Sequence, residues 1–247
     1  MNELAQPVPA SATLTETQRV IDVFVAPSKT FNDIRRKATF WGPLLIMIVV
    51  GAAFSFSVQQ KIGWAQVYEN NLRQAPARAA QVEASPKADS IKQVGAKVTE
   101  IVSYVYVVPV LIITAIVALL WWVTVNFGFG GTSKYGQIFA VSFYSNVVLN
   151  IKFLLAIVAI FAGLAPDSFL ESNPLGSNIG YFLSSDYPLW LRSLCSHIDV
   201  FEIWAVVLGV IGVAIVAKVS RGKAAAVVVG WWVIIVLVTS GLAALQG

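Results

Sequence analysis

The sequence predicts an all-α, polytopic membrane protein with five transmembrane helices. Two features of the composition carry this prediction: 57% of the 247 residues are hydrophobic and only 12% are charged, with a mean hydropathy of +0.74. Soluble domains carry about 25% charged residues. The third observation is that the apolar residues form five long runs separated by short charged clusters, which is typical of a multi-pass membrane protein.

Each apolar run is close to the length of about 20 residues that a helix needs to cross the hydrocarbon core. Unpaired backbone groups are costly in lipid, so the runs are predicted to be helices. We expect a flexible cytoplasmic tail at 1–18 and one membrane domain at 19–245, with extracytoplasmic loops at 59–102 and 163–197. The first of these loops is expected to be helical. The predicted spans are 40–58, 103–125, 138–162, 198–217 and 224–244.

An amphipathic helix is predicted to precede the first span. Thr15 and Gln18 have the spacing of a capping box that opens a short helix, and Pro27 ends it. In the next helix Phe31, Ile34 and Trp41 fall on one face, so we expect this helix to lie on the lipid headgroups with these three side chains in the acyl boundary. The basic residues lie largely on other faces: Lys29, Arg35, Arg36 and Lys37.

The distribution of basic residues predicts the orientation in the membrane. Lys218, Arg221 and Lys223 lie between spans four and five, on the same side as the N-terminal cluster. The positive-inside rule therefore places the N-terminus in the cytoplasm. The loop at 59–102 disagrees, because it has six basic residues, although its four acidic residues weaken the objection.

The third span has the main intramembrane polar residues. Ser142, Asn146 and Asn150 recur every four residues and predict a polar face that packs against other helices or lines a substrate path. Lys152 lies near the bilayer centre if the span begins at Ile138, and it then faces protein. With a start at Val147 it reaches the cytoplasmic headgroups instead.

Three blocks of the sequence resemble the bacterial branch of the Yip family (Ypt/Rab-interacting membrane proteins). They occur in family order and cover nearly the whole chain: "VFVAPSKTFNDIRRKATFWGPLL", "FGFGGTSKYGQIFAV" and "IDVFEIWAVVLGVIGVAIVAKVSRGKAAAVVV". The residues that carry the match are Phe24, Pro27, Phe31, Arg35, Arg36, Trp41, Pro43, Asp199, Phe201, Trp204 and the Ser220–Ala224 turn. The third span departs from the family pattern, because "VSFYSNVVLN" has no proline. The resemblance implies five spans, a cytoplasmic N-terminus and a non-enzymatic role in membrane organisation or trafficking.

Composition excludes several classes of function. A single cysteine, Cys195, cannot form an internal disulfide. With a single histidine as well, the chain has too few catalytic side chains for a membrane-embedded enzyme. Cys195, His197 and Asp199 are candidate metal ligands, but their spacing of two residues suits a strand edge and not the helix start expected here. We therefore predict that Asp199 caps a helix. No metal site, catalytic residue or cofactor is predicted for the chain. The pI of 9.2 is attributed to basic residues that set the orientation and contact anionic lipid headgroups, and not to nucleic-acid binding.

Two functions remain open. The first is a scaffold or adaptor in the bacterial cytoplasmic membrane that binds lipids and unknown membrane or cytoplasmic proteins, alone or as a homo- or hetero-oligomer. The second is a small transporter or channel subunit that uses the polar face of the third span.

Overall fold

The computed structural model describes residues 13–245, which form a bundle of helices and contain no β-strand within that range. Five helices in this part of the chain are long and apolar enough to cross a membrane. The prediction of an all-α chain with five spans is therefore confirmed. The five spans are Trp41–Lys61, Val107–Gly128, Tyr135–Phe161, Val200–Ala217 and Arg221–Ala244.

Two short helices precede the first span: α1 (Glu16–Val25) and α2 (Pro27–Arg36). The predicted capping box is present, with Thr15 accepting from the Gln18 amide and Gln18 accepting from the Thr15 amide. Pro27 occupies the first turn of α2, where its missing N–H costs nothing. The tail predicted at 1–18 thus overlaps α1, and residues 1–12 lie outside the described residues.

The first span is helix α3 (Trp41–Lys61), and three further helices follow it before the second span. They are α4 (Trp64–Arg73), α5 (Pro76–Glu83) and α6 (Ala88–Val105). Helices α4 and α6 lie side by side, and Gly95 permits the close approach because a Cβ there would lie 2.2 Å from the Tyr68 ring. The segment at 59–102 is therefore helical in this structure, and its location outside the cytoplasm stays a prediction.

The second span is α7 (Val107–Val123), which continues through a π-helical turn at Thr124–Gly128. The helix is interrupted at Tyr106, three residues before Pro109. Proline has no N–H to donate and crowds the carbonyl four residues earlier, so it favours a break at this place.

The third span consists of two helices, α8 (Tyr135–Asn146) and α9 (Leu149–Phe161), with a turn at residues 147–148. After a long connection with one short helix, α10 (Leu189–Ser196), the chain forms α11 (Val200–Ala217) and α12 (Arg221–Ala244). Helix α3 packs against α9 and α7 packs against α8, whereas α11 contacts α2, α8 and α12. Helix α11 is thus the central element of the bundle.

The main core lies where α2, α8 and α11 meet. Phe31 and Ile34 of α2 are fully buried there, together with Val141, Tyr144 and Val213. The prediction that Phe31 and Ile34 enter the acyl boundary is therefore wrong. They face protein because α2 packs onto α11, and burial of two such side chains contributes about 3 to 6 kcal/mol to docking.

Gly212 of α11 permits this packing. A Cβ at Gly212 would lie 2.5 Å from Val141 and 3.0 Å from the Phe31 ring. We expect Gly212→Ala to lower the free energy of unfolding by about 1 to 3 kcal/mol, the usual cost of overpacking. Denaturation of the purified protein in mixed detergent micelles measures this change.

Gly230 of α12 is the matched control for Gly212, because a Cβ there would meet no heavy atom within 4 Å. Gly230→Ala should leave stability unchanged or raise it by up to about 1 kcal/mol, since alanine is the better helix former. Equal destabilisation by the two variants would contradict the assigned contact.

Candidate functional site

The candidate functional site is one end of the bundle, where α3, α8 and α12 begin and α7 and α11 end. We call it the basic end and the other end the far end. Interhelical hydrogen bonds hold its segments together: the Thr132 amide donates to the Ala217 carbonyl (3.1 Å), and the Gln137 side chain donates to the Arg35 carbonyl (2.7 Å). The loop before α8 therefore contacts the end of α11, and α8 contacts the end of α2.

Exposed basic side chains from four segments define the surface of the basic end. Lys37 follows α2, Lys134 precedes α8, and Lys218 ends α11 in a left-handed conformation with φ 58°. Lys134 was not predicted, although it lies within the sequence block "FGFGGTSKYG". The exposed basic residues of this surface are Arg35, Arg36, Lys37, Lys134, Lys218, Arg221 and Lys223.

The turn between α11 and α12 is rigidly attached to this surface. The Ser220 hydroxyl caps α12 by accepting a hydrogen bond from the Lys223 amide. The Lys223 ammonium in turn donates to the Phe129 carbonyl at 3.2 Å, across to the loop that follows α7. The predicted residues Lys218, Arg221 and Lys223 thus lie beside a second loop and not on an isolated turn.

The acidic residues of α1 and α2 are paired within the hairpin. Arg19 is 1% exposed and lies 2.6 Å from Asp33, which is equally buried, and 3.3 Å from Glu16. Asp22 pairs with Lys29 at 2.8 Å, and this second pair is exposed on its lysine side. Because each carboxylate of the hairpin has a basic partner, the surface of the basic end is dominated by positive charge.

Arg19 and Glu16 also connect the hairpin to the rest of the bundle. Tyr144 of α8 donates to Glu16 at 2.6 Å, and the Gly42 amide at the start of α3 donates to Glu16 at 3.0 Å. Arg19 donates to the Lys37 carbonyl at 2.9 Å and to the Thr39 hydroxyl. This network was not predicted from the sequence, where an acidic residue three positions before Arg19 is the only local signal.

The network lowers the pKa of both carboxyl groups. Burial raises the pKa of Asp33, but hydrogen bonds and charge from Arg19, with a further bond from Arg36, bring it below its ordinary value. Burial likewise raises the pKa of Glu16, and its bonds to Thr39, Tyr144 and Gly42 outweigh that effect. Both groups are therefore charged at neutral pH.

Comparison with known proteins places this architecture in a family. The Yip1 domain model matches residues 21–242, a range that begins within α1, after Glu16 and Arg19, ends within the fifth span and contains the basic end. The chain belongs to the Yip1 domain family. The resemblance found in the sequence blocks is thereby confirmed.

This Yip1-domain chain is similar to one curated bacterial protein along most of its length. It is 26% identical over 216 residues to "Membrane protein YknW" of Bacillus subtilis (strain 168), an alignment that covers 85% of this chain and 84% of the relative. No solved structure matches it. The family, the relative and the five apolar helices together establish a multi-pass integral membrane protein.

Trp41 begins the first span of the Yip1-domain protein and is 63% exposed. Its ring stacks on Phe40 with centroids 5.1 Å apart. An exposed tryptophan at the start of a span is typical of an interfacial anchor, and this role stays a prediction for Trp41.

The polar face predicted on the third span is not continuous. Ser142 is buried and donates to the Phe139 carbonyl at 2.8 Å, and Asn150 donates to the Val147 carbonyl at 3.0 Å. Asn146 is exposed. Ser142 and Asn146 both belong to α8 and differ in burial, and the turn at residues 147–148 separates them from Asn150 in α9. A role of these side chains in helix packing or in a substrate path stays a prediction.

Lys152 lies toward the far end of the third span and faces protein. Its ammonium is 2.9 Å from Asp199, which is fully buried. Ser177 donates to the same carboxylate at 2.5 Å, whereas the other oxygen of Asp199 accepts from the Phe201 and Glu202 amides and caps α11. Capping by Asp199 is thus confirmed, and the alternative in which Lys152 reaches the cytoplasmic headgroups is wrong.

Proposed function

We propose that this Yip1-domain protein is a non-catalytic scaffold or adaptor of the bacterial cytoplasmic membrane. Its basic end faces the cytoplasm, where it binds anionic lipid headgroups and the acidic surface of a partner protein. The basic end supplies cations that bind anions, and both the histidine and the cysteine lie toward the far end, so the proposal includes no chemical step.

The observation that carries this proposal is the attachment of the basic surface to a rigid frame. Its cations belong to four segments joined by hydrogen bonds, and α2 is anchored by the buried Phe31 and Ile34. Rigid presentation lowers the entropy cost of binding and favours a specific partner over loose attraction to lipid.

Charge asymmetry between the basic end and the long connection after α9 supports the proposed orientation, whereas the segment at 59–102, also at the far end, has six basic residues against four acidic ones. The long connection at the far end contains Asp167, Glu171 and Asp186, and Arg192 is its basic residue. Basic residues are retained on the cytoplasmic side of membranes, so the basic end is assigned to that side.

Reversal of three charges tests the orientation. Changing Arg35, Arg36 and Lys37 together to Glu removes the cluster directly before the first span. We expect a mixed population in which reporter tags at the two termini become accessible from both sides of the membrane. Unchanged accessibility at both termini would refute the assigned role of this cluster.

Site-specific photocrosslinking in native membranes tests the adaptor function. A photoreactive amino acid in place of Lys37, Lys134 or Arg221 should give the same protein adduct from all three positions. Charge reversal of Lys218 and Lys223 should reduce that adduct about tenfold, as expected for loss of desolvated charge contacts. Mass spectrometry of the adduct identifies the partner.

Glu83 and Asp186 provide control positions for the crosslinking, because both are exposed outside the basic end. A photoreactive residue there should not give the same adduct. Recovery of lipid adducts alone from all three basic positions would contradict the adaptor function.

A further inference from the structure

A cavity of about 180 Å³ lies toward the far end of the bundle. It is lined by α3, the break between α6 and α7, helix α9 and the connection that follows α9. Most of its wall is apolar and aromatic, and no residue of the basic end takes part. The lining residues are Gly51, Phe54, Ser55, Ser103, Tyr106, Phe153 and Glu171.

Gly51 contributes to the shape of the cavity by admitting an aromatic ring to the surface of α3. A Cβ at Gly51 would lie 2.2 Å from the Tyr106 ring. Tyr106 is held there by a hydrogen bond from its hydroxyl to the Met47 carbonyl. The aromatic wall is therefore built by contacts between distant segments and is pre-formed.

The polar groups of the cavity converge on one carboxyl. The Ser55 and Ser103 hydroxyls lie 2.8 Å apart, and Ser55 also donates to the Ser103 carbonyl at 3.0 Å. The Ser103 hydroxyl is within hydrogen-bonding reach of Glu171. Glu171 and this serine pair therefore line the same part of the cavity.

Glu171 is half-buried, and it differs from the buried carboxylates Asp33 and Asp199 because residues 13–245 include no salt bridge to it. Asp33 and Asp199 are each paired with a basic side chain, at 2.6 Å and 2.9 Å. Burial raises the pKa of Glu171 above its ordinary value, although its bond to Ser103 acts in the opposite direction. A carboxyl group in such surroundings gains the most from a cation that enters the cavity.

We propose that this cavity is a binding site for a primary ammonium group. Glu171 accepts the ammonium, and Phe54, Tyr106 and Phe153 surround the carbon atoms attached to it. Aromatic faces also attract cations, so both elements of the wall favour the same class of ligand. The ammonium belongs either to a free amine or to the headgroup of phosphatidylethanolamine.

Binding of 4-fluorobenzylamine to the full chain in detergent micelles tests this proposal. Fluorine NMR at about pH 8 should show saturable binding, because a high pH favours the ionised form of the carboxyl that accepts the ammonium. 4-Fluorobenzyl alcohol, which has the same shape and no charge, should bind about tenfold more weakly. Empty micelles give the correction for partition into detergent.

Glu171→Gln should weaken binding of the amine by about tenfold while binding of the alcohol stays unchanged. Glu171→Asp should keep part of the affinity, and Glu83→Gln, on the exposed surface of α5, should keep all of it. Unaltered elution of each variant in size-exclusion chromatography shows that it is folded. No saturable binding, or equal binding by the Glu171→Gln and wild-type proteins, would overturn the proposal.

Phosphatidylethanolamine added to the micelles distinguishes the two sources of the ammonium group. Competitive displacement of 4-fluorobenzylamine by this lipid, with no displacement by phosphatidylglycerol, assigns the site to the headgroup. Failure of both lipids to displace the amine assigns it to a free amine. The basic end does not enter this test, so it is independent of the adaptor function.

Discussion

Arg19→Met will lower the free energy of unfolding by about 3 kcal/mol, the lower part of the range for a broken buried ion pair. The arginine and Asp33 are both 1% exposed, so loss of the cation leaves a carboxylate without its main partner in the protein interior. The cost stays in the lower part of the range because Arg36 remains bonded to the other oxygen of Asp33. Denaturation in mixed micelles measures the change.

The same variant should release the α1–α2 hairpin from the bundle before the spans unfold. Hydrogen exchange of the α1 and α2 amides will be faster in Arg19→Met, and exchange in α11 will change less. The hairpin presents Arg35 and Arg36, so the crosslinked adduct expected at the basic end should decrease as well.

Lys29→Ala is the matched control for Arg19→Met, because Lys29 also joins the two helices through an ion pair, with Asp22. Lys29 is 59% exposed, and an exposed pair contributes about 0 to 1 kcal/mol. A loss of stability as large as that of Arg19→Met would show that burial is not the cause of the difference.

Acid should mimic the loss of Arg19. The lowered pKa values of Asp33 and Glu16 stabilise the folded hairpin at every pH above the ordinary carboxyl pKa of about 4. This contribution decreases as the pH falls through the lower pKa values of the folded state. Amide protection in the hairpin should thus stay constant from neutral pH to about pH 4.5 and decrease below it.

Lys152→Met will lower the free energy of unfolding by about 3 to 5 kcal/mol. Asp199 is fully buried, and the variant leaves its charge without the ammonium 2.9 Å away. The hydrogen bonds from the Phe201 and Glu202 amides to Asp199 remain, and they offset part of the lost stability without replacing the cation. Water is a poor substitute for the ammonium because the carboxylate is fully buried.

A double-mutant cycle separates the ion pair from the cap. Asp199→Asn keeps a good capping side chain and leaves Lys152, which is 15% exposed, so its cost should be smaller than that of Lys152→Met. The double variant should be more stable than the sum of the two changes predicts, by about 1 to 3 kcal/mol. Strict additivity would contradict a direct interaction between the two groups.

Features set by neighbouring residues could be predicted from the sequence. Five apolar runs have the length of a bilayer crossing, and the capping box depends only on Thr15 and Gln18, three positions apart. Asp199 was recognised as a helix cap for the same reason. Three ordered motifs also indicated the family, which the Yip1 domain match confirms.

Features that depend on contacts between distant segments were decided by the tertiary structure. The helical period identified the apolar face of α2, but it could not tell lipid from protein, so Phe31 and Ile34 were assigned to the wrong neighbour. The partners of Arg19 and Lys152 are 14 and 47 positions away, and periodicity gives no signal at such separations. The cavity at Glu171 likewise requires four segments that meet only after folding.

The sequence alone determined the family, the number of spans and the identity of the charged clusters, because the lengths of the apolar runs and the spacing of motif residues depend only on residues near one another in the chain. The tertiary structure alone decided which charges are satisfied. Arg19, Asp33, Lys152 and Asp199 are paired in the interior, whereas the basic end faces outward and Glu171 borders a cavity. The physical reason is that the energy of a charge depends on its surroundings, and helix packing brings those surroundings together.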